Sequence, residues 1–129
     1  MRTLCLAAFC AVFVASPALA EPMETGDPLG PCLKGQKPPE DLTSSGTGWA
    51  VEIASSFNKQ ESMDEFDQAQ KDYSDILGDY SPTIVAVCDL SMGTDLRYSA
   101  RVTFDDRDAA DKLCNKLQAA GGACIVTKN

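Results

Sequence analysis

The stretch YSARVTFDDRDAADKLCNKLQAAGGACIVTKN, Tyr98 to Asn129, decides the fold. Tyr98, Ala100 and Val102 alternate with Ser99, Arg101 and Thr103, the period of a strand with two different faces. Asp105 and Asp106 then provide an N-cap and negative charge at the start of a helix, where the peptide dipoles favour it. Ala110, Leu113, Cys114 and Leu117 recur at helical spacing as a buried stripe, Lys112 and Lys116 suit the latter half, and Gly121-Gly122 stop the helix. Ala123-Cys124-Ile125-Val126-Thr127 reads as a closing strand. Strand, capped helix, glycine stop and strand make half of a split βαβ sandwich.

Working outward, the preceding segment supplies the other half. Leu96 to Thr103 is the full span of the strand that Tyr98 sits in, and Met92-Gly93-Thr94-Asp95 makes the turn before it. Thr83-Ile84-Val85-Ala86-Val87-Cys88, opened by Pro82, is a β-branched run suited to a covered sheet. Ser62-Met63-Asp64-Glu65 fits a capping box, and Met63, Phe66, Tyr73, Ile76 and Leu77 predict a helix from about Met63 to Leu77, ended by Gly78. Plain core packing accounts for that stripe. Trp49-Ala50-Val51-Glu52-Ile53-Ala54-Ser55 alternates, so Trp49, Val51 and Ile53 are expected inward and Ala50, Glu52 and Ala54 outward. The order β-α-β-β-α-β predicts an α+β, ferredoxin- or RNP-like sandwich: a four-stranded antiparallel sheet with two helices on one face. The open face should then gather Glu52, Arg97, Ser99 and Arg101.

The N-terminal part is of a different kind. Met1-Arg2-Thr3, an apolar run from Leu4 to Val14, and Ser16-Pro17-Ala18-Leu19-Ala20 have the pattern of a secretory signal peptide cut after Ala20. The run is shorter than the ~20 apolar residues of a membrane span. Periplasmic or secreted localisation is therefore expected, without membrane insertion. Residues 21–48 carry five prolines, several glycines and few apolar residues, which reads as a flexible linker with Cys32 as its anchor point. Residues 49–129 form the domain.

Charge and chemistry narrow the function. The formal charge is −8 with no histidine. Without Arg2 of the leader, ten basic residues face nineteen acidic ones, or −9. No two Lys or Arg are adjacent, and the open face lacks stacking aromatics, so nucleic acid is not expected as a partner. Without histidine the commonest general base and metal ligand are missing. A hydrolase using carboxylates such as Glu52 and Asp89 has no nucleophile or phosphate loop to support it, so no enzyme, cofactor or metal is expected.

Cys32, Cys88, Cys114 and Cys124 follow the leader, and in an oxidising compartment four cysteines permit three pairings, with small buried thiols as the alternative. A bond between Cys114 and Cys124 is geometrically reasonable from the helix and strand they occupy, and would stabilise by roughly 2.5 to 3 kcal/mol. A Cys32–Cys88 pair would pin the linker to the domain, at roughly 4 kcal/mol on the chain-entropy model.

WAVEIASS, YSARVTF, DDRDAADKLCNKLQAAGG and ACIVTKN, in this order over residues 49–129, resemble the SPOR domain, a module of exported bacterial proteins that bind peptidoglycan. Its pattern is W-x-V-Q with small residues following, a helix, a variable hairpin, Y-R-V-R-V-G-P-F, an acidic-capped helix containing A-x-x-L-x-x-x-L, a glycine and a short strand. The Cys114 and Cys124 pair is similar to a variant within that family. The resemblance implies recognition of glycan strands stripped of stem peptides, often at cell-division sites, through the open sheet face. It places the family's glutamine on Glu52, its serine on Ser55, and its third-strand arginines on Ser99 and Arg101. The implied glycan-binding set is thus Glu52, Ser55, Arg97, Ser99 and Arg101. The chain departs from the pattern at Glu52, which when ionised only accepts hydrogen bonds, at Ser99, and at Thr103, which replaces Gly-Pro. The competing expectation is a small exported protein of this fold that binds a cell-envelope protein partner and has lost glycan binding.

Overall fold

The structure, a computed structural model, describes residues 30–129. The expected signal peptide and residues 21–29 of the expected linker lie outside the described residues. Four strands, β1 (Trp49–Ser56), β2 (Thr83–Cys88), β3 (Leu96–Phe104) and β4 (Ile125–Lys128), form one antiparallel sheet in the order β2-β3-β1-β4. Helices α1 (Lys59–Asp72), α2 (Ser74–Leu77) and α3 (Arg107–Ala119) complete an α+β sandwich. Val51, Ala54, Ala100 and Val102 of the sheet meet Phe66, Leu77, Leu113 and Leu117 in one buried core, which fixes the helix-covered face. The guanidinium of Arg107 lies 5.0 Å from the centre of the Trp49 ring, at the rim of that core.

The first helix begins four residues earlier than the capping-box pattern predicts. Asn58 is its N-cap, with Oδ1 accepting from the Glu61 N–H at 3.1 Å, and the Ser56 hydroxyl donates to the Glu61 carboxylate at 2.5 Å. Asn58 and Glu61 are three apart and satisfy the helix end that Ser62 and Glu65 were expected to satisfy. Ser62 is instead inside the helix and fully buried. Its far end is also divided: Tyr73, at φ −125° and ψ 45°, interrupts the helical backbone, so that α1 and α2 are two segments.

Helix α3 carries the expected stripe of Ala110, Leu113, Cys114 and Leu117 and is capped by Asp106, whose carboxylate accepts from the Ala109 N–H at 2.9 Å. Its end shows why two glycines follow. Gly121 has φ +93°, and the Gly122 N–H donates back to the Leu117 carbonyl at 2.8 Å, the pattern of a left-handed helix terminus. A Cβ on Gly122 would overlap the Leu117 side chain, so alanine there would disturb a core residue.

Cys114 is bonded to Cys124, with Cα atoms 5.7 Å apart, and Cys32 to Cys88, with Cα atoms 5.5 Å apart. The first bond ties α3 to the approach of β4. Replacing Cys114 and Cys124 together by serine should lower stability by about 2.5 to 3 kcal/mol, from the short loop that the bond closes. A urea titration of the double variant measures it, and non-reducing peptide mapping should recover both linked peptides. A Cys32–Cys124 peptide would overturn this connectivity.

Candidate functional site

The face away from the helices is set by an irregularity in β1. Glu52 pairs with Arg101, but the next matched pair is Ala54 with Ala100, so β1 bulges at Ile53. One extra residue reverses the alternation beyond it. Ala54, expected outward, is turned to the helix side and belongs to the core. Ser55 stands opposite Ser99 on the open face, together with Glu52. Strict alternation would have put Glu52 and Ser55 on opposite faces, and the bulge brings them to one.

On β3, Arg97, Ser99 and Arg101 point to that same face, as the alternation predicts, and they join Glu52 in one chain of contacts. Arg97 Nη2 donates to Glu52 Oε1 at 2.8 Å. The Ser99 hydroxyl donates to Glu52 Oε2 at 2.5 Å and accepts from Arg101 Nε at 2.8 Å. Arg97 Nη1 also lies 3.7 Å from Asp89 Oδ2. Two carboxylates and two guanidiniums thus balance on one surface of an otherwise strongly acidic chain.

The four positions are not alike. Ser99 has no exposed surface, so it can hold its neighbours but cannot itself touch a ligand. Arg97 is occupied by Glu52 and Asp89, and its Nε is buried without a partner among the described residues. Arg101 is 7% exposed, held through Nε alone, and its two terminal nitrogens have no acceptor among the described residues. Burial lowers the pKa of Arg101 from its ordinary value; Glu52 opposes that and Arg97 adds to it. Asp89 is held below the usual carboxylate range by hydrogen bonds from the Ser91 hydroxyl and N–H, with Arg97 contributing less.

These side chains border a cleft of about 350 Å³ lined by Glu52, Val87, Cys88, Asp89, Arg97, Arg101, Ile125 and Thr127. Ile125 and Thr127 were not among the expected site residues. The register places Ile125 opposite Glu52, and Ile125 is 60% exposed, an apolar floor beside the charged network. The alternation of β4 carried that signal, since Ile125 and Thr127 share one face. Among the described residues no cluster of Cys, Asp and Glu is arranged to hold a metal ion, and no helix is long and apolar enough to cross a membrane.

The SPOR domain family model matches residues 45–128, well over half of the chain. The chain belongs to the SPOR domain family. That family is one of peptidoglycan-binding modules of the cell envelope, and it is a binding family, not a catalytic one. No curated protein and no solved structure matched the chain. The matched segment contains every strand and helix of this SPOR domain and takes in Ser45 and Thr47, just before β1.

Proposed function

We propose that this SPOR domain binds peptidoglycan glycan strands denuded of their stem peptides, without catalysis, through the open sheet face. The observation that carries the reading is Arg101: a guanidinium fixed at one end, with its other end facing the cleft and unpartnered. Removal of stem peptides exposes lactyl carboxylates on the glycan, and a guanidinium fork pairs with a carboxylate through two parallel hydrogen bonds. Arg101 is the contact residue, Glu52 and Ser55 border the same face, and Arg97 and Ser99 position the others. The leader-like residues 1–20 support export, with cleavage near Ala20 and action in the periplasm or outside the cell, at division sites where denuded strands are made.

Co-sedimentation of the mature protein with sacculi tests this. Pelleting should rise after an amidase has removed the stem peptides. No pelleting with the denuded material would sink the glycan reading.

A second reading, a protein partner in the cell envelope, has its own observation. Phe57, Leu90 and Met92 are 49%, 61% and 56% exposed, and Phe57 lies beside Gly93 of the β2–β3 hairpin, so apolar side chains gather at that end of the sheet. If pelleting is absent and Met92→Ser abolishes capture of an envelope protein, the second reading replaces the first.

A further inference from the structure

With helices on one face only, the side chains of β2 and β3 on the other face should be open to water. Thr83 is exposed, but Val85, which pairs with Ser99 and so points to the same face, is only 1% exposed. The helices and the core lie on the other side of the sheet and cannot cover it.

Residues 30–48 reach β2 at two points, the Cys32–Cys88 bond and the turn at Leu42. Leu42 is buried but does not belong to the helix-side core, and the 3-10 turn that carries it, Glu40–Leu42, lies against β2. Both ends of the segment are fastened. At one end Cys32 is bonded to Cys88 at the end of β2, its N–H donates to the Thr94 carbonyl at 3.0 Å, and Gly30 lies so close to Thr94 that a Cβ would overlap its backbone. At the other end Asn129 Nδ2 donates to the Ser45 hydroxyl at 2.8 Å, and the Asn129 N–H to the Gly48 carbonyl at 3.2 Å. Between these fastenings the turn that carries Leu42 meets β2. Pro38 and Pro39 stiffen the approach, because each fixes its own φ and restricts the residue before it. The cleft lies beside this turn, between Val87 of β2, Arg97 and Arg101 of β3, Glu52 of β1, and Ile125 and Thr127 of β4.

We propose that residues 38–47, seated by Leu42 and tethered by the Cys32–Cys88 bond, cover Val85 on the open face and confine the glycan to the cleft bordered by Arg101, Glu52 and Ile125. This rests on the glycan reading above. The cover decides which residues meet the ligand: Ile125 packs against the apolar face of a sugar ring beside Arg101, while Val85 on β2 takes no part. It also sets affinity, since a ligand able to use the whole face must first displace the cover, and only the uncovered fraction of molecules would bind it.

The test uses the full mature protein, with Leu42→Ser in one variant and Cys32→Ser with Cys88→Ser in another, both leaving the helix-side core intact. Hydroxyl-radical footprinting read by mass spectrometry reports the cover without any ligand. Val85 should be protected in the wild type, and its labelling should rise about fivefold in either variant, a change that follows from the shift between covered and uncovered molecules. Val85 labelled in the wild type as strongly as Ile125 would overturn the cover. With denuded sacculi, Ile125→Ser should cut binding about tenfold through loss of apolar contact, and the two releasing variants should bind several-fold more tightly. Equal binding by released and wild-type protein, with Val85 uncovered only in the former, would overturn the confinement. If no form pellets while Val85 responds as expected, the glycan reading fails and the cover stands.

Discussion

Replacing Glu52 by alanine should lower the stability of the domain by about 3 kcal/mol, the low end of what is lost when one partner of a buried ion pair is removed. The low end is chosen because the Glu52 and Arg97 side chains each keep 14% of their surface exposed. The carboxylate is the common acceptor of the open face, taking Arg97 Nη2 on one oxygen and the Ser99 hydroxyl on the other. Without it Arg97 keeps only Asp89, at 3.7 Å, to offset a buried guanidinium whose Nε already lacks a partner. Arg101 loses the one charge that opposes its own desolvation. Thermal denaturation should show a drop of roughly 12 to 24 °C at the usual conversion for a domain of this size.

Two companions separate charge from shape. Glu52→Gln restores an acceptor and the residue type of the SPOR pattern, so its stability cost should be smaller than that of alanine and glycan binding should hold or improve. Glu52→Leu combined with Arg97→Met replaces the pair by apolar groups and should recover most of the loss, since a well-packed apolar pair is often neutral relative to a buried ion pair. A double variant no more stable than Glu52→Ala would show that the cost came from packing, not from a stranded charge.

Much of this fold is legible in the chain because its signals are local and repeated. The β3 alternation separates Arg97, Ser99 and Arg101 from Tyr98, Ala100 and Val102, and the α3 stripe names its buried residues in advance. What escapes has identifiable causes. The bulge at Ile53 arises from pairing with β3, and nothing in VEIAS marks it, so the inward or outward sense of Ala54 and Ser55 is set between strands, not within one. The start of α1 went to Asn58 over Ser62 because Ser56 and Glu61 cooperate with Asn58, a contact across the strand end. Leu42 is a lone apolar residue among prolines and serines, and a single residue has no periodicity. The turn that carries it lies against β2, a strand far along the chain. The open face was legible in the same uneven way: Glu52, Arg97, Ser99 and Arg101 could be placed on it, but not Ile125 beside them, nor that Ser99 is buried, that Arg97 is occupied, or that Arg101 keeps its terminal nitrogens unpaired among the described residues.

That division makes Arg101→Ala the decisive variant for binding. A hydrogen-bonded pair with a charged group contributes about 1.5 to 3 kcal/mol, so binding to denuded sacculi should fall by about ten- to a hundredfold. Arg101→Lys should lose most of the same amount, because an ammonium cannot both occupy the Nε position beside Ser99 and present a fork to a carboxylate. Stability should move the other way. Burial lowers the Arg101 pKa in the folded protein, so folding disfavours its charged form, and that penalty operates at pH values below the lowered pKa. Removing the guanidinium removes the penalty, and no direct carboxylate partner is stranded, since the Ser99 hydroxyl still has Glu52 as its acceptor. Arg101→Ala should therefore melt at or slightly above the wild-type temperature, while Glu52→Ala melts well below it. A domain that lost stability and binding in parallel on Arg101→Ala would make Arg101 a structural residue of the sheet. Loss of binding with stability kept is expected only if a costly buried charge is retained for the ligand it meets.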